Sequence, residues 1–407
     1  MKNNVKQPLI TVIVPTRERP DTLEKCLKTV VSQDYDNLNI VVSDNFSRDS
    51  TEDVVRSYVD SRITYLNTGK RLSMSHNWEF ALSNIPDGWV TILGDDDGLL
   101  PYSLSRVAEV IEANDIQAIR SNVCSYAWPS VTGKEFGRLE VPLKSGYEVR
   151  DSKKWLSKVM NDHAHYPELP MLYNGGFLNM SVLNEIKRKS GTFYRSCNPD
   201  VYSAVTVSSI VNNYIYLEEP LALNGASRHS AGTSHFSLDQ KSEQSPAQKF
   251  LSEENMPFHK DIPLCSDGKY PFSIQAMVYE SYLQSAMFRD ENRLITYAQQ
   301  LEVILAAAGS HYVSVEEWAK RFASIHRLNY DEILCRARRK RLLRKLTSIP
   351  GRISSAFSTC RVGSPEEPIK DVYAASIAAA AIRNSRPSQI MRLSGVAGRV
   401  IEKIKNS

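Results

Sequence analysis

Three consecutive carboxylates, Asp95, Asp96 and Asp97, follow the apolar run Trp89-Val90-Thr91-Ile92-Leu93-Gly94 and are closed off by Gly98-Leu99-Leu100-Pro101. The run has strand character and ends in glycine, which predicts that the acids stand at the mouth of a sheet and not inside it. Adjacent like charges repel, and a fold tolerates them most easily where a cation offsets them. The stretch reads as a site for a divalent cation, Mg²⁺ or Mn²⁺, and for the phosphates such a cation carries. An Asp-rich turn that holds no metal is the plainer alternative.

The elements that must position these acids are legible upstream. Residues 9–15 form a continuous β-branched run closed by Pro15, the pattern of a parallel strand buried on both faces. Asp21-Thr-Leu-Glu24 resembles a capping box, and Leu23, Cys26, Leu27, Val30 and Val31 then recur at helical spacing. A second strand is expected over residues 38–44, a helix over 51–59, a third strand over 63–66 and a helix over 75–82, in which Trp78, Ala81 and Leu82 share a core-facing stripe. Strands alternating with helices predict an α/β fold, a doubly wound, mostly parallel sheet with right-handed crossovers and helices on both faces. Ligands of such sheets bind beyond the carboxyl ends of the strands. Three polar clusters collect on that edge: Pro15-Thr16-Arg17-Glu18-Arg19, Ser43-Asp44-Asn45 and Asp95-Asp96-Asp97. One such loop would mean little, because turns favour Asp and Asn for backbone reasons alone; the convergence of three carries the argument.

Composition sets the bounds. The chain has 407 residues, 42% hydrophobic and 24% charged, with a net charge of +4, which is ordinary globular usage. Its basic character is local: Arg336, Arg338, Arg339, Lys340, Arg341, Arg344 and Lys345 crowd one window with no acid among them. The six cysteines are scattered, without Cys-x-x-Cys or zinc-type spacing, which favours a reducing compartment. The first residues lack the apolar core of a signal peptide. The longest apolar run, residues 372–382, falls short of the ~20 residues that span a bilayer. A cytoplasmic protein is expected, with peripheral contact at the inner face of the membrane as one option.

The series Thr11-Val-Ile-Val-Pro-Thr-Arg17, Val41-Val-Ser-Asp-Asn-Phe-Ser-Arg-Asp-Ser-Thr51 and Gly94-Asp-Asp-Asp-Gly-Leu-Leu-Pro101 resembles the N-terminal half of the family-two inverting glycosyltransferases, which adopt the GT-A fold. The likeness is strong over residues 8–125, weaker to about 235 and absent beyond. It implies that Pro15, Thr16 and Arg17 line a nucleotide pocket and that Asp44 accepts a hydrogen bond from the base, commonly a uracil imide. Arg17 and Arg71 would reach phosphate through paired, charge-assisted bonds, although Arg71 also reads as a solvated loop charge. The family signature is Asp-x-Asp-Asp, whereas this chain has Gly94-Asp95-Asp96-Asp97. Alignment on Pro101 places Gly94 at the first acid, which makes Asp96 the leading metal ligand and Asp97 its neighbour, and leaves Asp95 open between a ribose contact in the donor site and a support behind the ligands.

The resemblance also implies a base that takes the acceptor proton. Asp200 is the candidate, at the start of a helical run over residues 201–211, with Pro199-Asp200 standing where the family has Glu-Asp; a helix-capping role is the alternative. Tyr173-Asn174-Gly175-Gly176-Phe177 resembles the acceptor-side segment, or is simply a turn. His229, in the small-residue loop 224–232, would complete the metal site or touch phosphate, or be a surface residue.

The expected organisation is a GT-A catalytic domain over residues 1–237, divided into a nucleotide-sugar half (8–125) and an acceptor half (126–237). A linker or mobile loop (238–271), a helical region (272–350), and a flexible joint with terminal helices (351–407) follow. Ser314-Val-Glu-Glu317 reads as a capping box with Trp318 and Phe322 on one helix face. The basic window from Arg336 to Leu346 is open to three readings: an anionic membrane surface, a solvated helix, or nucleic acid. It contains no aromatic platform for bases, so nucleic acid is not expected. The function implied is metal-assisted, inverting transfer of a sugar from a nucleoside-diphosphate sugar, UDP-linked, to a hydroxyl of a glycan or lipid-linked glycan. A nucleotidyltransferase and a non-catalytic sugar-nucleotide-binding module are the alternatives; the former normally carries a Gly-rich, Lys-containing phosphate loop after its first strand, which Pro15-Thr-Arg-Glu-Arg19 is not.

Overall fold

The computed structural model describes residues 7–130, 136–228, 254–266, 268–290, 295–364 and 366–385, without the side chains of 345–357. Its first part is the expected alternation: β1 (Ile10–Thr16), α1 (Pro20–Val31), β2 (Leu38–Asp44), α2 (Thr51–Arg56), β3 (Ile63–Asn67), α3 (Met74–Leu82) and β4 (Trp89–Ile92). These four strands lie in the order β3-β2-β1-β4, every pair parallel. The uninterrupted apolar run of β1 is explained by burial on both faces: Ile10, Val12 and Val14 pack with Leu23, Leu27 and Val107, while Ile13 packs with Trp78, Leu82 and Val207.

Beyond β4 the chain continues through β5 (Gly98–Leu99), α4 (Ser103–Ala113), β6 (Ala118–Ala127), β7 (Leu139–Pro142), β8 (Tyr147–Asp151), α5 (Ser152–Met160), β9 (Gly176–Asn179), α6 (Met180–Ser190), α7 (Pro199–Ile210) and β10 (Asn213–Ala226). Strand β9 joins β4 and β6 antiparallel, and β10 runs parallel to β6. The sheet therefore extends without a break from the expected nucleotide half into the expected acceptor half.

The helical region comprises α8 (Ile274–Gln284), α9 (Tyr297–Ala307), α10 (Tyr312–Ile325) and α11 (Tyr330–Phe357). It shares one core with α5 and α7, where Leu156, Val159, Val201 and Val205 meet Tyr279, Leu301, Trp318 and Phe322. Residues read from sequence as a flexible joint instead form β11 (Thr359–Val362), which pairs antiparallel with β7, and α12 (Val372–Asn384) then packs beside Leu100, Tyr126 and Leu223.

Two helix starts differ from expectation. Helix α1 begins at Pro20, whose fixed φ suits a first helical position, and Asp21 lies in its first turn, not at its cap. Helix α10 begins two residues before Ser314, and the capping box of this region is Thr296 with Gln299 at the start of α9. The basic window on α11 is also less of a free charge cluster than its sequence suggests. Arg336 pairs with Glu302 and Glu332, and Arg344 pairs with Asp162 at 2.8 Å. Among the described residues no helix is long and apolar enough to cross a membrane.

Candidate active site

The carboxyl ends of β1, β2 and β4 meet as the strand order requires. Asn45 N–H donates to the Thr16 carbonyl, and the Thr16 hydroxyl donates to Asp95 Oδ2 at 2.8 Å. Arg19 Nη1 reaches the other oxygen of Asp95 at 2.9 Å. Asp95 is thus a buried clamp between the first and fourth strand loops. Burial pushes its carboxyl above the ordinary range, Arg19 draws it back, and Asp96 pushes it up again.

Asp96 is held from the far side. Its Oδ2 accepts from Ser227 Oγ at 2.6 Å, and its carbonyl accepts from Trp128 Nε1 at 2.8 Å. Asp97 is fully buried and engaged at both oxygens: Oδ1 accepts from Gly225 N–H at 2.7 Å, and Oδ2 accepts from Gly94 N–H at 3.2 Å and from Tyr173 Oη at 2.7 Å. Burial, then the neighbouring Asp96 charge, pushes the Asp97 carboxyl up to about 8. Both oxygens of Asp97 are thus occupied, and Oδ1 keeps one acceptor position.

The Tyr173-Gly176 turn is a wall of the site. Tyr173 stacks on Trp78 with ring centroids 5.3 Å apart, and the buried Arg120 guanidinium donates to the carbonyls of Tyr173 and Asn174 at 3.1 and 2.6 Å. Burial draws the pKa of Arg120 down to about 10. A Cβ at Gly176 would lie 1.7 Å from the Met171 carbonyl oxygen, so the second glycine answers a close backbone approach.

Asp200 sits in the first turn of α7, with Oδ2 accepting from Tyr166 Oη at 3.0 Å. Burial raises its carboxyl above the ordinary range, and the Val201 N–H and Tyr166 act against that. The Tyr173 phenol is pushed well up by burial, then by Asp97, Asp96 and, more weakly, Asp200. Tyr173 therefore stands within electrostatic reach of both the triplet and Asp200.

The remaining expected residues are placed as follows. Asp44, 1% exposed, accepts from Ser47 N–H and Oγ on one oxygen and from Tyr65 Oη and Asn67 Nδ2 on the other. Its loop is braced by reciprocal bonds between Asn45 and Leu72. Arg71 forms a half-exposed ion pair with Glu18 at 2.7 Å, a contact of small energetic weight. Pro15 and Arg17 are half-buried at the end of β1, and His229 lies outside the described residues. Arg19, Ser227, Trp128 and Tyr166 were not singled out by sequence. Arg19 and Ser227 carried a signal, their places in the first strand-end cluster and in the small-residue loop 224–232.

Among the described residues, no three His, Cys, Asp or Glu side chains form a protein-only metal cage. Magnesium-type sites commonly use one or two carboxylates and complete their shell with water and substrate phosphate. The hard oxygen donors of the triplet, with Asp96 foremost, fit that donor set.

Comparison with known proteins agrees with the motif reading. Residues 11–166 match the family model described as Glycosyl transferase family 2. The GalNAc(5)-diNAcBac-PP-undecaprenol beta-1,3-glucosyltransferase of Campylobacter jejuni is 36% identical over 132 residues, 32% of this chain and 42% of that protein. A putative colanic acid biosynthesis glycosyl transferase of Escherichia coli is 30% identical over 107 residues, 26% of this chain and 37% of that protein. The alignments thus span less than half of these relatives. The solved structure of S. aureus TarS 1-349 with UDP-GlcNAc superposes with a TM-score of 0.44 at 14% identity, covering 82% of this chain and 88% of that one, a likeness too loose to bear on substrate. Residues 11–166, which hold all three strand-end loops and the acidic triplet, are a glycosyl transferase family 2 domain.

Proposed function

We propose that this chain is an inverting glycosyltransferase that moves a sugar from a nucleoside-diphosphate sugar, uridine-linked, to a hydroxyl of a glycan or lipid-linked glycan. The observation that carries the reading is the meeting of the Thr16, Asp44 and Asp95–Asp97 loops at one sheet edge, where Tyr173 bonds Asp97 and Asp200 is near enough to act on the Tyr173 phenol. On this reading residues 1–237 are catalytic, and the helical region from 272 onward supports them.

Pro15, Thr16 and Arg17 line the nucleotide pocket, Asp44 takes the base in exchange for one of its four present donors, and Arg71 exchanges Glu18 for phosphate. A hard cation bound through Asp96 would offset the charge that builds on the departing diphosphate. Asp97 braces that position through Gly94, Gly225 and Tyr173, and its Oδ1, which accepts one bond, is the oxygen open to direct ligation. His229 is kept as a further contact on the metal or phosphate. Asp200 receives the acceptor hydroxyl proton as the acceptor oxygen bonds to the anomeric carbon. The bond from that carbon to the diphosphate oxygen breaks, and the electron pair leaves with the diphosphate. Because burial raises the Asp200 carboxyl, turnover falls as pH drops through that raised value.

The name of the Campylobacter relative, which specifies a PP-undecaprenol-linked acceptor, supports a lipid-linked glycan here. A lipid-linked acceptor would bring the enzyme to a membrane face, on this reading the cytoplasmic one. The contact surface would be α11, where Leu342 and Leu343 are 63% and 62% exposed and Arg338 and Arg339 point outward beside them. Anionic liposomes that fail to sediment the protein would remove the membrane contact.

The test of the function is incubation with a panel of nucleotide-sugars and Mn²⁺, with Asp96→Ala beside the parent. Release of nucleoside diphosphate from one donor, lost in Asp96→Ala, is expected. No release from any donor, with or without glycan acceptors, would overturn the proposal.

A further inference from the structure

Helix α8, Ile274–Gln284, contains a single charged residue, Glu280, and Glu280 is fully buried. A carboxylate is costly in such a place unless hydrogen bonds replace its water. Here they do: Oε2 accepts from Ser196 Oγ at 2.6 Å, and Oε1 accepts from His259 N–H at 3.0 Å and Gln284 Nε2 at 2.9 Å. Burial still pushes the carboxyl up to about 7.

Ser196 is the partner that matters. Its Oγ also accepts from Asn198 N–H at 3.2 Å, and its carbonyl accepts from Ser75 Oγ on α3 at 2.8 Å. Asn198 is the residue that opens α7, and Asp200 stands two residues later in the first turn. Asn198 Nδ2 also reaches the Met277 sulfur of α8 at 3.3 Å. The segment leading into α7 is gripped again from α3, where Glu79 Oε2 accepts from the N–H groups of Phe193 and Tyr194 at 2.8 and 2.9 Å. Asn198 makes no side-chain cap to α7, so the position of its first turn depends on these neighbours together with Tyr166, which bonds Asp200 directly.

We infer that Glu280 is a positioning residue for transfer: through Ser196 it fixes the entry of α7 and thereby the carboxylate of Asp200, which makes the C-terminal helical region part of the active-site framework. The inference rests on Asp200 acting as the base. A polar relay built only for stability would lower the folded fraction and leave the turnover of folded molecules alone. A positioning relay instead separates kcat from donor KM.

The experiment compares Glu280→Ala, Ser196→Ala, the double variant, Glu280→Gln and Asp200→Asn, each with a melting curve and steady-state kinetics. Glu280→Ala and Ser196→Ala should each lower kcat by about tenfold or more, because displacements of an ångström at a reacting group cost that much, with donor KM within about twofold. The double variant should lose no more than the worse single variant, since both act through one chain of bonds. Glu280→Gln, whose oxygen can take His259 N–H and Gln284 while its amide N–H donates to Ser196 Oγ, should restore most of the loss. If Glu280→Ala does not fold, Ser196→Ala alone decides. Asp200→Asn silent together with the others overturns the base reading and this inference with it. Asp200→Asn inactive while folded Ser196→Ala keeps its kcat overturns this inference alone.

Discussion

Gly225→Ala is the sharpest mechanical test of the acidic triplet. Gly225 lies on β10, paired with Tyr126 of β6, and its N–H supplies one of the bonds that hold Asp97. A Cβ there would stand 1.8 Å from the Asp96 carbonyl oxygen, 2.8 Å from its carbon and 2.9 Å from Trp128 Nε1, where ordinary contact begins at 3.4 Å. None of these atoms is the end of a flexible side chain. Strand β10 is fixed along β6 by nine register pairs, so the acidic loop must yield, by well over an ångström. That movement also takes the Gly225 donor from the buried Asp97, at a cost of about 1–3 kcal/mol. A displacement of this size at a reacting site lowers turnover by about a hundredfold, equivalent to about 2.7 kcal/mol. The assay is nucleoside diphosphate release beside thermal melting, so that lost folding and lost catalysis are read separately. A variant that melts lower and retains kcat/KM within about twofold of the parent would refute the idea that β10 sets the triplet.

Two other predictions concern the same acids. Arg19→Gln removes the ion pair on the buried Asp95, so donor KM should rise and the melting temperature should fall; calorimetric donor binding equal to the parent's would dismiss Arg19 from the site. The Asp97 carboxyl is raised from 3.8 to about 8 by folding, so between those values the folded state holds a proton that the unfolded state has released. Stability must therefore decline as pH rises through that window, and the decline should be shallower in Asp97→Asn. Equal slopes of melting temperature against pH in the two proteins would show that Asp97 is ionised throughout.

Much of this site was legible because its parts are local. The β-branched runs of β1 and β2, the acids that follow β4, and Asp200 at the head of an apolar helix are short-range patterns with a physical cause. What sequence left open is long-range. Alignment on Pro101 ranks Asp95, Asp96 and Asp97 but does not give their partners, which lie far away: Thr16 and Arg19 for the first, Trp128 and Ser227 for the second, Tyr173 and Gly225 for the third. The same holds for the basic window, whose Arg336 and Arg344 find acids on other elements. Strand β11 is four residues long and exists through its pairing with β7, a partner that no local pattern names. Glu280 illustrates the point from the other side: a lone acid in an apolar helix is visible in sequence, but its meaning lies in Ser196, eighty-four positions away.

The transfer proposed is a one-step displacement at the anomeric carbon, with Asp200 on the face opposite the departing diphosphate. Its stereochemistry can be read from the glycoside formed from an α-linked nucleotide-sugar, by proton NMR coupling during turnover. A one-step displacement gives a β-linked product from the parent protein. An α-linked product would contradict it, because retention requires a second displacement or a different face of attack.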